Sequence, residues 1–168
     1  MKQDAEVNKL IEKVNAMKKD NKLDLSSDED LSIALMNLIS IEEHMYFSGM
    51  KTGKKKYFGM LSDVREMRKK YMKEIVKNPE PGSEEWCISK HLLASSMRLI
   101  EVGNKHMAKK EDAKAEEKFQ DAFHLYSMFW GINLKLLKSE EMITKQEAKT
   151  WKDKMGEVVK KIVDCCKE

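Results

Sequence analysis

Apolar residues recur at spacings of three and four along almost the whole chain, without the sustained alternation that marks a half-buried strand. This pattern predicts an all-α protein. The two prolines, Pro79 and Pro81, both lie in the segment Asn78–Gly82, so one strong helix breaker separates two long stretches that are free to be helical. The pattern divides into six helices, predicted at about residues 4–19, 28–51, 54–77, 84–109, 111–138 and 145–166.

Several residues with strong positional preferences mark the predicted ends of these helices. Ser26 and Ser27 are N-cap candidates for the second helix and are followed by acidic residues, which favour a helix N-terminus. Gly53 is expected to turn the chain after that helix, and Ser83 precedes the fourth. Thr144 forms a capping-box pattern with the glutamate three residues later. The predicted helices therefore have start and stop signals that do not depend on the apolar pattern.

The second to fifth helices are similar in length, about 24 to 28 residues each, and are joined by short turns. This arrangement is typical of an antiparallel up-down four-helix bundle. The core bundle is expected over about residues 28–138 of a single domain that spans residues 1–168. One additional N-terminal helix, 4–19, and one C-terminal helix, 145–166, are expected to pack outside the bundle or to mediate a dimer.

Placing successive residues 100° apart assigns a large apolar set to the bundle axis. The assigned residues include Leu35, Met36, Ile39, Tyr46, Met50, Tyr57, Met60, Met67, Tyr71, Ile75, Trp86, Leu93, Met107, Phe129 and Trp130. The chain has 13 methionines, and many fall in this set. Because methionine adapts to irregular surfaces, the alternative interpretation is an adaptable groove that takes a partner helix.

Polar residues of three predicted helices share one level of the bundle. Counting 1.5 Å per residue from the shared turn end places their side chains within roughly 5 Å of each other along the axis. They are Glu43, Arg65, Arg98 and Glu101, with the Tyr126 hydroxyl nearby. One interpretation is a buried network that fixes helix register. The other is a site that binds a small anion or polar metabolite between the helices.

Cys87 and His91 are separated by four residues and therefore share a helix face, as two metal ligands would. They are the metal candidates of this chain. Their face lies opposite Leu93 and Ile100, which favours ordinary surface or interface residues. No cofactor is predicted.

Composition narrows the class of protein further. The chain is 41% hydrophobic and 36% charged, as expected of a soluble helical protein. No apolar run approaches the ~20 residues of a membrane span, and the charged start lacks the apolar core of a secretory signal. Three cysteines, an odd number, do not make a disulfide framework. A cytoplasmic location without membrane contact is therefore expected.

Charge is distributed unevenly. Residues 54–77 carry nine basic and three acidic residues, a net charge of +6, whereas the whole chain carries only +3. Such a helix is able to meet phosphates, so nucleic-acid binding through helix 54–77 is one alternative function. The basic residues spread around the helix, which favours a solvated face.

Three segments, residues 36–44, 86–91 and 125–133, give the chain a resemblance to a group of small, uncharacterised all-helical archaeal proteins. The resemblance spans about residues 35–134. It implies an all-helical fold and brings no activity, catalytic residue or cofactor.

No catalytic motif is evident in the chain. The expected function is noncatalytic, in protein binding or assembly, with a protein partner or a second copy of the chain. The alternatives are a metal- or small-ligand-binding bundle that uses the polar site, and nucleic-acid binding through the basic helix.

Overall fold

The computed structural model describes residues 2–19, 25–76, 83–136 and 154–160. These residues form helices joined by turns and contain no strand, so the all-helical prediction is confirmed. Within them, no helix combines the length and the apolarity that a membrane crossing requires. The helices are α1 (Lys2–Lys19), α2 (Leu25–Thr52), α3 (Lys56–Ile75), α4 (Glu84–Ala108) and α5 (Asp112–Asn133), followed by a helical segment at residues 154–160.

The helices pair as two hairpins. α2 packs along α3, α4 packs along α5, and α2 also contacts α4. Each hairpin has a short turn, at residues 53–55 and at residues 109–111. Cross-hairpin contacts join residues at similar distances from these turns, as described below for Glu43 and Arg98. Both turns therefore lie at the same end of the molecule.

Helix starts follow the sequence signals in part. Ser83 caps α4 as predicted, because its side chain accepts a hydrogen bond from the Trp86 backbone N–H at 3.3 Å. The prediction for α2 was wrong in detail, since that helix begins at Leu25 and takes both Ser26 and Ser27 into its first turn. Gly53 ends the α2 region with φ of +66°, a backbone conformation that glycine adopts without strain. The proline segment and Thr144 lie outside the described residues.

Two helices end in a motif that the sequence did not signal. At the end of α5, Leu136 N–H bonds to Gly131 C=O at 2.8 Å and Lys135 N–H bonds to Ile132 C=O at 2.9 Å. This is the Schellman pattern, in which the residue after the C-cap adopts a left-handed conformation. Lys135 takes that role with φ of 52°, and Lys110 does the same after α4 with φ of 59°. Glycine usually marks this position. Because a lysine occupies it here, the sequence contains no stop signal, and α5 was predicted to run to residue 138 although it ends at Asn133.

The core lies in the half of each hairpin that is remote from its turn. Phe129 and Trp130 of α5 are fully buried there, with their ring centroids 5.4 Å apart. They belong to one apolar cluster with residues of the other elements, namely Leu35, Met36, Met72, Ile75, Trp86 and Leu93. α1 contributes Val7 and Val14 to this cluster, and the segment 154–160 contributes Met155, Val158 and Val159. α1 and the segment 154–160 are therefore both part of the core packing.

Small residues let α4 and α5 approach closely. Ser96 Oγ donates a 2.9 Å hydrogen bond to the Ala122 carbonyl across the two helices. Nearer the turn, Gly103 lies under the Phe119 ring with no room for a Cβ atom. The buried hydroxyl is paired and the glycine position is filled by the ring, so the two backbones pack without a void or an unsatisfied polar group at these points.

Several residues that were assigned to the bundle core are exposed instead. Tyr46 and Met50 of α2 continue the stripe of Leu35 and Ile39, yet Met50 is 63% exposed. The same correction applies to Met60, Met67 and Met107. For the residues near the turns, the physical reason is that the hairpins pack together at the end remote from their turns, whereas Met67 lies midway along α3 on a side that the described residues leave open. At the turn end, the described residues do not cover the continuation of the same stripe.

Gly103→Ala is expected to destabilise the protein by about 1–2 kcal/mol, because the new methyl group has to displace the Phe119 ring from its packed position. Gly59→Ala in α3 is the matched control, since nothing lies within 4 Å of its added Cβ. That change is expected to stabilise the helix by about 0.5–1 kcal/mol. Urea unfolding of the three proteins measures both values. A neutral Gly103→Ala variant would mean that the ring moves aside freely.

Candidate functional site

Two of the five residues of the predicted polar network meet. Arg98 of α4 donates two hydrogen bonds to Glu43 Oε2 of α2, at 3.0 Å from Nε and 2.5 Å from Nη2. Glu43 lies nine residues before the end of α2 and Arg98 ten before the end of α4, so the two helices run in the same direction at matching levels. The pair is about half exposed, with side chains at 43% and 50%, and it is therefore not a buried ion pair.

The other members of the predicted network are placed elsewhere. Arg65 is exposed on α3, and Glu101 of α4 is partly buried. Among the described residues, neither forms a hydrogen bond or ion pair with Glu43 or Arg98. The expected single buried network is therefore not assembled. Matching levels along the axis were not sufficient, because the direction of each side chain around its helix decides which groups meet.

A buried ion pair lies close to the predicted network, between Glu42, one residue before Glu43, and Arg68, three residues after Arg65. Arg68 of α3 and Glu42 of α2 form a two-pronged contact through Arg68 Nε and Nη2, and their side chains are only 4% and 15% exposed. Arg68 Nη1 also points at Met72 Sδ, 3.8 Å away. Neither Glu42 nor Arg68 was predicted as a member of the network, although each is close in sequence to a predicted member, because one residue along a helix already rotates the side chain by about 100°. This pair joins the two helices of the first hairpin.

Tyr126 links the two hairpins through a different polar contact. Its hydroxyl lies 2.7 Å from Ser32 Oγ of α2, and Ser32 Oγ also lies 2.7 Å from the Glu29 carbonyl. A serine has one hydroxyl proton, and the carbonyl is able only to accept. Ser32 therefore donates to Glu29, and Tyr126 donates to Ser32. Burial raises the pKa of the Tyr126 hydroxyl above its ordinary value.

Trp130 packs edge-on against the Tyr126 ring, with centroids 6.1 Å apart. Its buried indole N–H has no hydrogen bond of ordinary geometry within the described part of the chain. The indole is still close enough to the Tyr126 hydroxyl to oppose slightly the rise in the pKa of that group. Trp130 therefore packs against the tyrosine that joins α5 to α2.

The turn between α4 and α5 carries a small charged cluster. His106 Nδ1 and Glu111 Oε2 are 2.5 Å apart, and Lys114 Nζ lies 3.0 Å from the other oxygen of the same carboxylate. These two hydrogen bonds, first that of His106 and then that of Lys114, lower the pKa of Glu111. The cluster spans the turn from one helix to the next and so fixes its geometry.

The two metal candidates do not point into a common site. Cys87 is partly buried and packs against the apolar core, whereas His91 is exposed. The face of α4 that carries both residues was expected to lie opposite Leu93, as surface or interface; His91 and Arg98 on this face are exposed, and Cys87 is partly buried. Over the described ranges, no three His, Cys, Asp or Glu side chains are arranged to hold a metal ion. Metal binding at Cys87 and His91 stays a prediction.

Exposed apolar side chains gather at the end that carries both turns, nearer the turns than the pair of Glu43 and Arg98. We call this set the apolar end; its members are 40% to 63% exposed and are Tyr46, Phe47, Met50, Phe58, Met60 and Met107. Tyr46 and Phe47 touch edge to face, with centroids 5.2 Å apart. Phe58 lies over Gly49, where an added Cβ would be 2.8 Å from the ring. Six of the ten exposed large apolar side chains of the described residues therefore lie at this end.

Replacing each glutamate in turn by glutamine is expected to distinguish the buried ion pair from the exposed one by the loss in the free energy of unfolding. Glu42→Gln leaves the Arg68 charge buried without its carboxylate, and we expect a loss of about 3 kcal/mol in the free energy of unfolding. Glu43→Gln removes a half-exposed contact, with an expected loss within about 1 kcal/mol. Urea unfolding of both variants checks the order. A larger loss in Glu43→Gln would contradict the assignment.

Tyr126→Phe is expected to cost about 1 kcal/mol at neutral pH, because the hydrogen bond to Ser32 is lost. The pKa of Tyr126 is higher in the folded protein, so its contribution is complete below about pH 10 and declines as the pH rises further, where the unfolded chain ionises first. As the pH rises above about 10, the variant should therefore lose less stability than the wild type. Urea unfolding at a series of pH values measures this difference in the free energy of unfolding. Tyr46→Phe is the control for removing a tyrosine hydroxyl, because the Tyr46 ring is exposed.

Comparison with known proteins gives no further guide to this site. No protein-family model, no curated protein and no solved structure matches the chain. The resemblance of residues 35–134 to small archaeal proteins stays a prediction. Function is therefore argued from the geometry of the described residues.

Proposed function

We propose that this chain is a noncatalytic protein-binding module and that the apolar end is its docking surface. The scaffold in this proposal is the antiparallel four-helix bundle with additional terminal helices that the sequence predicts, in a reducing compartment such as the cytoplasm. One observation carries the proposal: six large apolar side chains are exposed at a single end of the molecule. Single exposed apolar residues are ordinary, whereas a group of them marks an interaction site.

The exposed residues continue a pattern that is buried elsewhere. Leu35 and Met36 lie in the core, and the same side of α2 presents Tyr46 and Met50 to solvent about two turns and one turn before Gly53. A partner that covers Tyr46 and Met50 would extend the existing core. Burying the exposed part of each such side chain contributes roughly 1 kcal/mol.

The proposed occupant is a helical segment of another protein. The described residues contain no strand, so they offer no sheet edge to which an extended peptide could add. The apolar end consists of helix side chains, half of them methionine, and such surfaces bind the apolar face of a partner helix. A second copy is disfavoured because the lysine-rich turns of two copies would face each other across a twofold contact.

The test begins by placing a photoreactive benzoylphenylalanine at Phe47, which preserves an aromatic side chain, and identifying the protein to which it crosslinks in cells. The partner is then purified and its Kd is measured. Met50→Ser is expected to weaken binding about tenfold, or 1.4 kcal/mol. Its effect on stability should stay within about 0.5 kcal/mol, since Met50 is 63% exposed.

Ile33→Ser is the matched control. Ile33 is also on α2 and is 45% exposed, but it lies about 25 Å from Met50 along the helix. It should leave the Kd unchanged, and a crosslinker at Ile33 should not capture the partner. Equal effects of the two serine substitutions, or equal capture from both positions, would refute docking at the apolar end.

A further inference from the structure

Lysine is concentrated around the two turns at the apolar end. Residues 51–56 contain four lysines and no aspartate or glutamate, and residues 105–110 contain three lysines, followed by Glu111, whose carboxylate is bound by His106 and Lys114. Both segments lie at the same end of the molecule, and all seven lysines are exposed. The lysines therefore flank the apolar end, which is the proposed docking surface.

Lysines of the described residues fall into two groups, those that pair with a carboxylate and those that do not. Lys69, Lys114, Lys118 and Lys160 each lie 2.6–3.1 Å from a glutamate oxygen. By contrast, the lysines of residues 51–56 and 105–110 form no ion pair with a carboxylate of the described residues. The charges of the two turns are thus available to an incoming group.

We propose that the partner helix is acidic on its polar face, an inference that rests on the proposed function. Lys51 directly follows Met50 in the chain, and Lys56 is two residues before Phe58. Apolar side chains of a partner would contact the apolar end while its carboxylates reach the flanking ammonium groups. Such complementarity selects the partner and speeds association.

Two other anionic partners fit the observations less well. Single-stranded nucleic acid is bound by aromatic rings that stack on bases. Three of the six residues of the apolar end are aromatic, but Tyr46 and Phe47 contact each other edge to face and Phe58 lies against Gly49, and the other three residues are methionines. An anionic lipid surface would approach the turns themselves. Tyr46 lies six residues before the end of α2, which is about 9 Å along the helix axis. A helix that lies alongside α2 reaches Tyr46 more readily than a flat lipid surface that approaches the turns.

The experiment uses the full-length protein and three fluorescent peptides of about 18 residues that share one apolar face and carry Glu, Gln or Lys on the polar face. Anisotropy titrations give Kd at low and at high salt. The Glu peptide is expected to bind about tenfold more tightly than the Gln peptide at low salt and to lose most of this advantage at high salt, because exposed charges are screened. The Lys peptide should bind most weakly. Anionic vesicles and a single-stranded RNA are titrated in parallel.

Matched variants assign the effect to the turns. Changing the four lysines of residues 51–56 to glutamine should abolish the preference for the Glu peptide while leaving affinity for the Gln peptide within about twofold. The control removes the same charge far from the apolar end by replacing Lys9, Lys19, Lys70 and Lys73 with glutamine. Circular dichroism establishes that both variants remain helical.

Each outcome has a definite meaning. Equal affinity for the Glu and Gln peptides overturns the acidic-partner inference but leaves helix docking intact. An equal loss of preference in both lysine variants shows that net charge, and not the turns, selects the peptide, and it also overturns the inference. Binding of vesicles or RNA without any peptide binding overturns the proposed function itself.

Discussion

The two helical hairpins are held together at the end remote from their turns, and the rest of the structure depends on this packing. Phe129 and Trp130 occupy the centre of the shared core, where they meet apolar side chains of α2, α3 and α4. α1 and the segment 154–160 add further fully buried residues to the same region. Most of the apolar burial that opposes chain entropy is therefore concentrated in one part of the molecule.

Polar contacts specify how the hairpins fit together. Tyr126 and Ser32 join α5 to α2 inside the core region, while Arg68 and Glu42 join the helices of the first hairpin. These groups are largely buried, so each needs its partner, and a shifted register would leave them unpaired. The half-exposed contact of Glu43 and Arg98 lies between this region and the turns. It marks the level beyond which α2 presents its apolar stripe to solvent.

This division separates stability from the proposed function. Side chains beyond Glu43 contribute little to the packed core because Tyr46, Phe47 and Met50 are largely exposed. The turn end is therefore free to carry lysines and apolar residues side by side without disturbing the fold. The proposed docking surface continues the core and so has the composition of a core, and no separate binding motif marks it in the sequence.

The sequence by itself determined the all-helical class, the approximate bounds of five helices and the cap at Ser83, because apolar spacing and capping preferences are local properties of the chain. It also placed Glu43 and Arg98 at one level, since helix rise is constant. The tertiary structure decided which side chains meet. Glu42 rather than Glu43 faces Arg68, Lys110 and Lys135 end their helices in place of glycine, and Tyr46 and Met50 are exposed. Burial depends on where other helices lie, and the apolar stripe is the same whether a neighbouring helix covers it or solvent does.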